Sequence, residues 1–165
     1  MNKSSYIYAL DLSMSCTGVV IFDSDNDDIA QRDKTVPVLV TSVETSPKLE
    51  DGKRLKIIAD FLLDLRKKYQ PKLVLIENGF YRFAKSTEVV FMVHGVVRYI
   101  FEDVEQIFYA PTTVKKFAGK KGNMKKDELR EIILSKYPNV TFSNNDESDA
   151  FAIGLTYFIK TGVIQ

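Results

Sequence analysis

Apolar residues along this chain fall into two rhythms, and their alternation predicts the order of its elements. Tyr6-Ile7-Tyr8-Ala9-Leu10-Asp11-Leu12 and Gly18-Val19-Val20-Ile21-Phe22 are nearly unbroken apolar runs of strand length, separated by a polar turn. The acidic stretch Asp23 to Asp28 interrupts the pattern. Val36 to Val43 then reads as a third strand, with Pro37 placing its start near a sheet edge. Three such strands in succession predict an antiparallel meander. Between Gly52 and Tyr69 the rhythm changes: Leu55, Ile58, Leu62, Leu65 and Tyr69 recur at the three- and four-residue spacing of an amphipathic helix, with Lys53, Arg54, Asp60, Asp64 and Arg66 to Lys68 among its polar positions, and Pro71 closes it. Lys72 to Glu77 has the apolar character of a strand buried on both faces. Ser86 to Phe101 reads as a second helix, with Val89, Val93, Val96 or Val97, and Tyr99 or Ile100 inward, and Gln106 to Ala110 as a short strand. A lysine-rich segment leads into a helix from Met124 to Lys136 with Asn123 as N-cap, and a last helix spans Asp146 to Lys160. The pattern predicts an α/β protein with a mixed sheet, in the order three strands, helix, strand, helix, strand, helix, helix. No repeat or linker divides it, so residues 1–165 are expected to form a single domain.

Composition narrows the setting more than the chemistry. Apolar residues make up 45% of the chain and charged residues 27%, the balance of an ordinary folded domain. Cys16 is the sole cysteine, which excludes an internal disulfide and suits a reducing compartment. The first residues carry no apolar leader-like stretch, and no run approaches the roughly 18 apolar residues of a membrane span. The expectation is a cytoplasmic protein without membrane attachment. Twenty-three basic against 22 acidic residues leave a net charge of +1, so only the distribution of charge is informative. Lys115, Lys116, Lys120, Lys121, Lys125 and Lys126 lie between Thr112 and Lys126 without an acid among them. Such a run is either a solvated loop or a local positive surface suited to a phosphate backbone.

Acids at the ends of apolar strands carry more chemistry. An ionised carboxylate costs several kcal/mol to desolvate and stays beside a core when paired or bound to a metal. Asp11 and Glu77 are both so placed, although a strand can also end on a polar residue with no further role. Asp146 and Asp149, three apart at the start of the last helix, share a face, while Glu147 is rotated away by about 100°. The helix dipole would account for Asp146 and Glu147 at a helix N-terminus. It accounts less well for Asp149, which stands beside Ala150, Phe151 and Ile153 where the inward stripe begins. If that helix crosses the ends of the two acid-bearing strands, four carboxylates converge, and like charges at close range require cations. All-oxygen ligation suits Mg²⁺ or Mn²⁺, and two such ions about 4 Å apart make a phosphodiester-cleaving centre.

These pieces, in order, resemble the RuvC family of Holliday-junction resolvases, nucleases of the ribonuclease H-like superfamily, and in particular its short phage members. The matching segments are Ala9-Leu10-Asp11-Leu12-Ser13 with Thr17-Gly18, Leu75-Ile76-Glu77-Asn78-Gly79-Phe80, Tyr109-Ala110-Pro111 with Val114-Lys115, Gly122 with Lys126, and Asp146 with Asp149-Ala150-Phe151-Ala152. The resemblance implies a five-stranded mixed sheet flanked by helices, a homodimer, and Mg²⁺-dependent paired nicking of four-way and other branched DNA. Mn²⁺ would substitute, with two ions per site and no small-molecule cofactor. It matches Asp11, Glu77, Asp146 and Asp149 to the metal-binding carboxylates, and Lys115 and Lys126 to active-site and DNA-contacting lysines, with Lys116 and Lys125 as neighbouring alternatives. Phe80 matches an aromatic that meets junction bases. Tyr81, Arg82 and Phe83 suit nucleic-acid contact or dimerisation equally. Lys120 and Lys121 complete the expected DNA surface. Leu12-Ser13 stand where the family has Pro-Gly, and Asp146 where some relatives have His.

His94, the sole histidine, is expected on a helix face or in a dimer interface, and Cys16 as a small packed residue rather than a nucleophile. Two rival functions remain at this point. One is a branched-DNA-binding module of the same fold with weak or no catalysis. The other is an actin-like ATPase or sugar kinase, for which the chain is short and lacks a second Gly-rich phosphate loop.

Overall fold

The computed structural model describes residues 6–24, 36–79, 84–119 and 121–164. Its strands are β1 (Tyr6–Asp11), β2 (Cys16–Asp23), β3 (Leu39–Glu44), β4 (Pro71–Glu77) and β5 (Glu105–Tyr109), and its helices α1 (Asp51–Lys68), α2 (Ala84–Ile100), α3 (Pro111–Gly119), α4 (Lys126–Lys136) and α5 (Asn145–Lys160). The five strands form one sheet in the order β3-β2-β1-β4-β5. β1, β2 and β3 pair antiparallel as the expected meander, while β4 runs parallel to β1 and β5 parallel to β4. The parallel pairs need crossovers, which α1 and α2 supply.

Alternation along the central strands divides the core in two. Tyr8, Leu10, Val19, Ile21, Val74 and Ile76 face one side, where Ile58, Leu62 and Leu65 of α1 and Val93, Val97 and Ile100 of α2 cover them. This settles the inward positions of α2 on Val97 and Ile100, and Tyr99 is 80% exposed. Ile7, Ala9, Val20, Phe22, Leu73 and Leu75 face the other side, under α3, α4 and α5. There Phe22 packs against Phe151 and Phe158 of α5 at ring separations of 5.9 and 5.0 Å. α5 is the most enclosed helix, buried from Ala150 through Thr156. Its Ala150, Ala152 and Gly154 let it lie close to the sheet.

Four expectations change. The lysine-rich segment is not all loop, because its first part is α3, whose Val114 and Ala118 are buried. The N-cap of α4 is Lys125 rather than Asn123, and its backbone N–H donates to the Glu128 carboxylate at 3.3 Å. β3 begins at Leu39, after Pro37, on an edge of the sheet. Arg54, a polar position of α1, is buried: its Nε donates to Thr45 Oγ1 at 2.9 Å, and the Thr45 hydroxyl donates to the Met14 carbonyl. That chain of bonds ties the start of α1 to the β1–β2 turn just beyond Asp11.

Candidate active site

One residue from each strand forms a transverse row across the sheet. Ser42 of β3 pairs with Gly18 of β2, Gly18 with Asp11 of β1, and Glu77 of β4 with Tyr109 of β5. Asp11 and Glu77 directly follow Leu10 and Ile76, partners in the parallel β1–β4 pairing, so the row is continuous. Ala9 and Leu75, two residues upstream of the acids, face the layer of α3, α4 and α5. By the two-residue period, Asp11 and Glu77 face it as well.

The turn after Asp11 closes on itself. Ser13 Oγ donates to the Cys16 carbonyl at 2.7 Å and accepts from the Cys16 N–H at 3.1 Å, while Thr17 Oγ1 donates to the Ser13 carbonyl at 2.8 Å. These bonds hold the Leu12-Ser13 turn without the Pro-Gly pair. Beside it, Gly18 makes room for α5. A Cβ there would stand 2.1 Å from the Asp146 carbonyl oxygen and 2.4 Å from its carbon, which no other residue could accommodate without moving the helix. Asp146, the second residue of α5, therefore lies against the strand next to Asp11, and Asp149 follows on the same helix face.

The electrostatics of the four acids are coupled. Burial and then the charge of Asp149 push the Asp11 carboxyl well above the ordinary carboxylate range; Lys126 opposes this, and Glu77 and Asp146 add to it. Burial and Asp149 likewise raise Glu77 from 4.5 to about 7, against the opposing fields of Lys126 and Lys115. Asp149 is raised because burial outweighs the hydrogen bond and charge of Lys126. Lys126, the first residue of α4, donates from Nζ to Asp149 Oδ2 at 2.5 Å. Burial works against its charge, but the bond to Asp149 and the fields of Asp11, Asp149 and Asp146 hold its pKa above the usual lysine value.

Among the described residues, no three His, Cys, Asp or Glu side chains stand together at metal-ligating spacing. The chemistry of the donor set nevertheless fits a hard divalent cation. Asp11 feels the charges of Asp149, Glu77 and Asp146, Glu77 feels that of Asp149, and the ammonium groups of Lys126 and Lys115 oppose them. Burial first, and the neighbouring negative charges after it, raise Asp11, Glu77 and Asp149, and a dication held among these carboxylates would favour their ionised forms.

The remaining expected residues separate clearly. Lys126 rather than Lys125 meets Asp149, and half-buried Lys115 rather than exposed Lys116 acts on Glu77 and Asp149. Lys116 lies 5.9 Å from the Phe117 ring, and Lys121 and Lys125 are exposed. Phe80, Tyr81, Arg82, Phe83 and Lys120 lie outside the described residues. His94 is 4% exposed, packed within the chain beside Gly79 and Phe91, so it faces inward on α2 and is not presented to a partner. Cys16 is a packed residue whose thiol is pushed up to about 12 by burial and by its hydrogen bond to Asp146. Ser42 and Asn144 were not anticipated, and Glu147, expected off the face shared by Asp146 and Asp149, is 5% exposed and bonded to Ser42 of β3. The polar run Ser143-Asn144-Asn145 before α5 is a signal from which the Asn144 N-cap could have been read, but nothing local in β3 marks Ser42.

No family model matches the chain. Among curated proteins it is similar to the crossover junction endodeoxyribonuclease RuvC of Prochlorococcus marinus strain MIT 9303, 26% identical over 157 residues covering 91% of this chain and 96% of that protein. The protein of the same name from Chlamydia trachomatis serovar L2 is 29% identical over 121 residues, covering 70% and 71%. Among solved structures, Thermus thermophilus RuvC in complex with Holliday junction substrate superposes with a TM-score of 0.75 at 19% identity over 96% of both chains. Fowlpox virus resolvase, solved with its substrate Holliday junction DNA, gives 0.52 at 16% identity over 94% of this chain and 98% of that one. Sequence similarity along nearly the whole chain is thus to crossover junction endodeoxyribonucleases of the RuvC name, and the five-stranded sheet with its helices has the fold of the RuvC structures.

Proposed function

We propose that this protein is an endonuclease that resolves four-way DNA junctions by paired symmetric nicks, with divalent cations held by Asp11, Glu77, Asp146 and Asp149. The observation that carries the reading is the transverse row: two acids side by side at the ends of β1 and β4, with the acidic start of α5 laid against Gly18 beside them. The relatives' name, crossover junction endodeoxyribonuclease, and the solved complexes of similar proteins with Holliday junctions support the substrate. Mg²⁺, with Mn²⁺ as substitute and two ions per site, would supply an activated water and charge neutralisation at the scissile phosphate.

The chain's own groups do the rest. Asp11 and Glu77 stand on rigid strands and fix one side of the donor set, while Asp146 and Asp149 bring the other side with α5. Lys126 restrains Asp149 and places a positive charge where the phosphate would enter, and Lys115 adds a second. Lys116, Lys121 and Lys125 form the phosphate-binding surface with Lys120, and Phe80, Tyr81 and Arg82 serve the junction bases. One chain holds one site, so two symmetric cuts call for a homodimer with a two-fold axis. The whole chain acts as one domain, in the cytoplasm of a bacterial host if it is of the phage type.

The test uses end-labelled four-way junction and matched linear duplex with Mg²⁺, Mn²⁺ or EDTA, and the Asp149→Asn variant beside the wild type. The expected result is paired nicks on the junction alone, dependent on metal, and at least a thousandfold slower in the variant while junction affinity is kept. Tight junction binding without cuts under every condition would replace the nuclease reading with that of a binding module.

A further inference from the structure

Glu147 is an acid one residue from Asp146, yet both of its oxygens are already engaged away from the site. Oε1 accepts from the Ser42 hydroxyl at 2.9 Å, and Oε2 accepts from the Ser143 N–H at 2.7 Å. Asn144 completes a ring: its Oδ1 accepts from the Glu147 N–H at 2.9 Å, and its Nδ2 donates to Ser42 Oγ at 2.9 Å. The same amide reaches Cys16 Sγ at 3.9 Å. The ring therefore joins the first turn of α5 to β3 by side-chain bonds alone. Ser42 is the β3 member of the transverse row, two strands from Asp11.

We propose that Ser42, Asn144 and Glu147 are positioning residues that set where Asp146 and Asp149 stand relative to Asp11 and Glu77, and that Glu147 is not itself a metal ligand. Gly18 stops α5 from approaching further, because the Asp146 carbonyl already rests on it. It does not stop the helix from sliding along the strands or turning about its axis. The ring does, since Ser42 is fixed by strand pairing and reaches both the N-cap residue and the third residue of the helix. A turn of α5 that broke the ring would carry Asp149 away from Lys126 and Asp11. The charge of Glu147 is met by a hydroxyl and a backbone N–H, which frees the two aspartates from serving as the helix anchor.

The inference rests on the metal-dependent nuclease reading, and its test separates the two. Ser42→Ala removes the hub of the ring, and Ser42→Thr restores a hydroxyl. Each is compared with wild type by the rise in melting temperature on titration with Mn²⁺ without DNA, by the Mn²⁺ concentration for half-maximal junction cutting, and by junction affinity in EDTA. Loss of positioning predicts for Ser42→Ala about a tenfold higher Mn²⁺ requirement in both metal assays, unchanged junction affinity, and recovery in Ser42→Thr. Glu147→Gln, which keeps the shape but can accept from only one of the two donors, is expected to shift the Mn²⁺ requirement in the same direction. If Ser42→Ala lowers the melting temperature but keeps the wild-type Mn²⁺ response, the ring is only structural and the proposal fails. If the wild type itself shows no Mn²⁺ response, the underlying nuclease reading fails instead.

Discussion

An acid whose folded pKa lies above its unfolded value binds its proton more tightly in the folded chain, so stability falls as pH rises between the two. Glu77, at about 7 against an ordinary 4.5, places that window between those values, and Asp11, raised by burial and by Asp149, contributes with the same sign above the ordinary carboxylate range. Lys126 acts in another range: its raised pKa gives stability that is complete below the ordinary lysine value and is lost only above it. Without divalent ions the protein is therefore expected to melt higher at pH 5.5 than at pH 7.5, by an amount reduced by buried His94, whose lowered pKa costs stability as pH falls through the ordinary histidine value. Mg²⁺ should remove most of that difference by stabilising the ionised carboxylates. Asp11→Asn, which deletes the most perturbed charge while keeping its shape, should raise the melting temperature in EDTA at pH 7.5, flatten its pH dependence and abolish the response to Mg²⁺. Calorimetric scans of both proteins, with and without the ion, read all three effects. A variant less stable than wild type in EDTA at pH 7.5 would show that the Asp11 charge is better compensated than the site implies.

At the scale of elements, the site depends on how closely α5 approaches the sheet, and two glycines separate that contact from packing in general. A Cβ at Gly18 meets the backbone of Asp146, whereas a Cβ at Gly154 would stand 2.4 Å from Phe22 Cε2 deep in the core. Both alanine variants are expected to lose about 1 to 3 kcal/mol in chemical denaturation. Gly18→Ala alone should also raise the Mn²⁺ requirement for cutting, because the helix it displaces carries Asp146 and Asp149. Much of this frame was legible in the chain. Asp11 and Glu77 stood out as acids ending apolar runs, and the three-residue spacing of Asp146 and Asp149 put them on one helix face. α3 was hidden because lysines dominate its composition. Pro111 as its first residue and the spacing of Val114, Phe117 and Ala118 were the signals that mark it. The burial of Arg54 and the ring through Ser42 were not legible, because both depend on which strand lies beside which. That pairing is a property of the sheet and leaves no local pattern.

Over the whole molecule, a net charge of +1 coexists with a lysine-rich segment that runs through α3 to the start of α4, beside the carboxylate site. Junction binding is therefore expected to weaken steeply with salt despite near neutrality, log K falling linearly with log salt concentration. Replacing exposed Lys121 and Lys125 together by Gln should lower that slope by about 2 if each meets one phosphate, as measured by fluorescence anisotropy with labelled junction in EDTA. An unchanged slope would move the DNA surface elsewhere. No helix among the described residues is long and apolar enough to cross a membrane. The order in which the site's parts occur along the chain has a further consequence. Asp11 and Glu77 belong to strands that precede, along the chain, the helix that brings Asp146 and Asp149, which is the last element among the described residues. On the proposed function, a growing chain on the ribosome would carry Asp11 and Glu77 without Asp146 and Asp149, and would gain a complete donor set only when α5 emerges and docks.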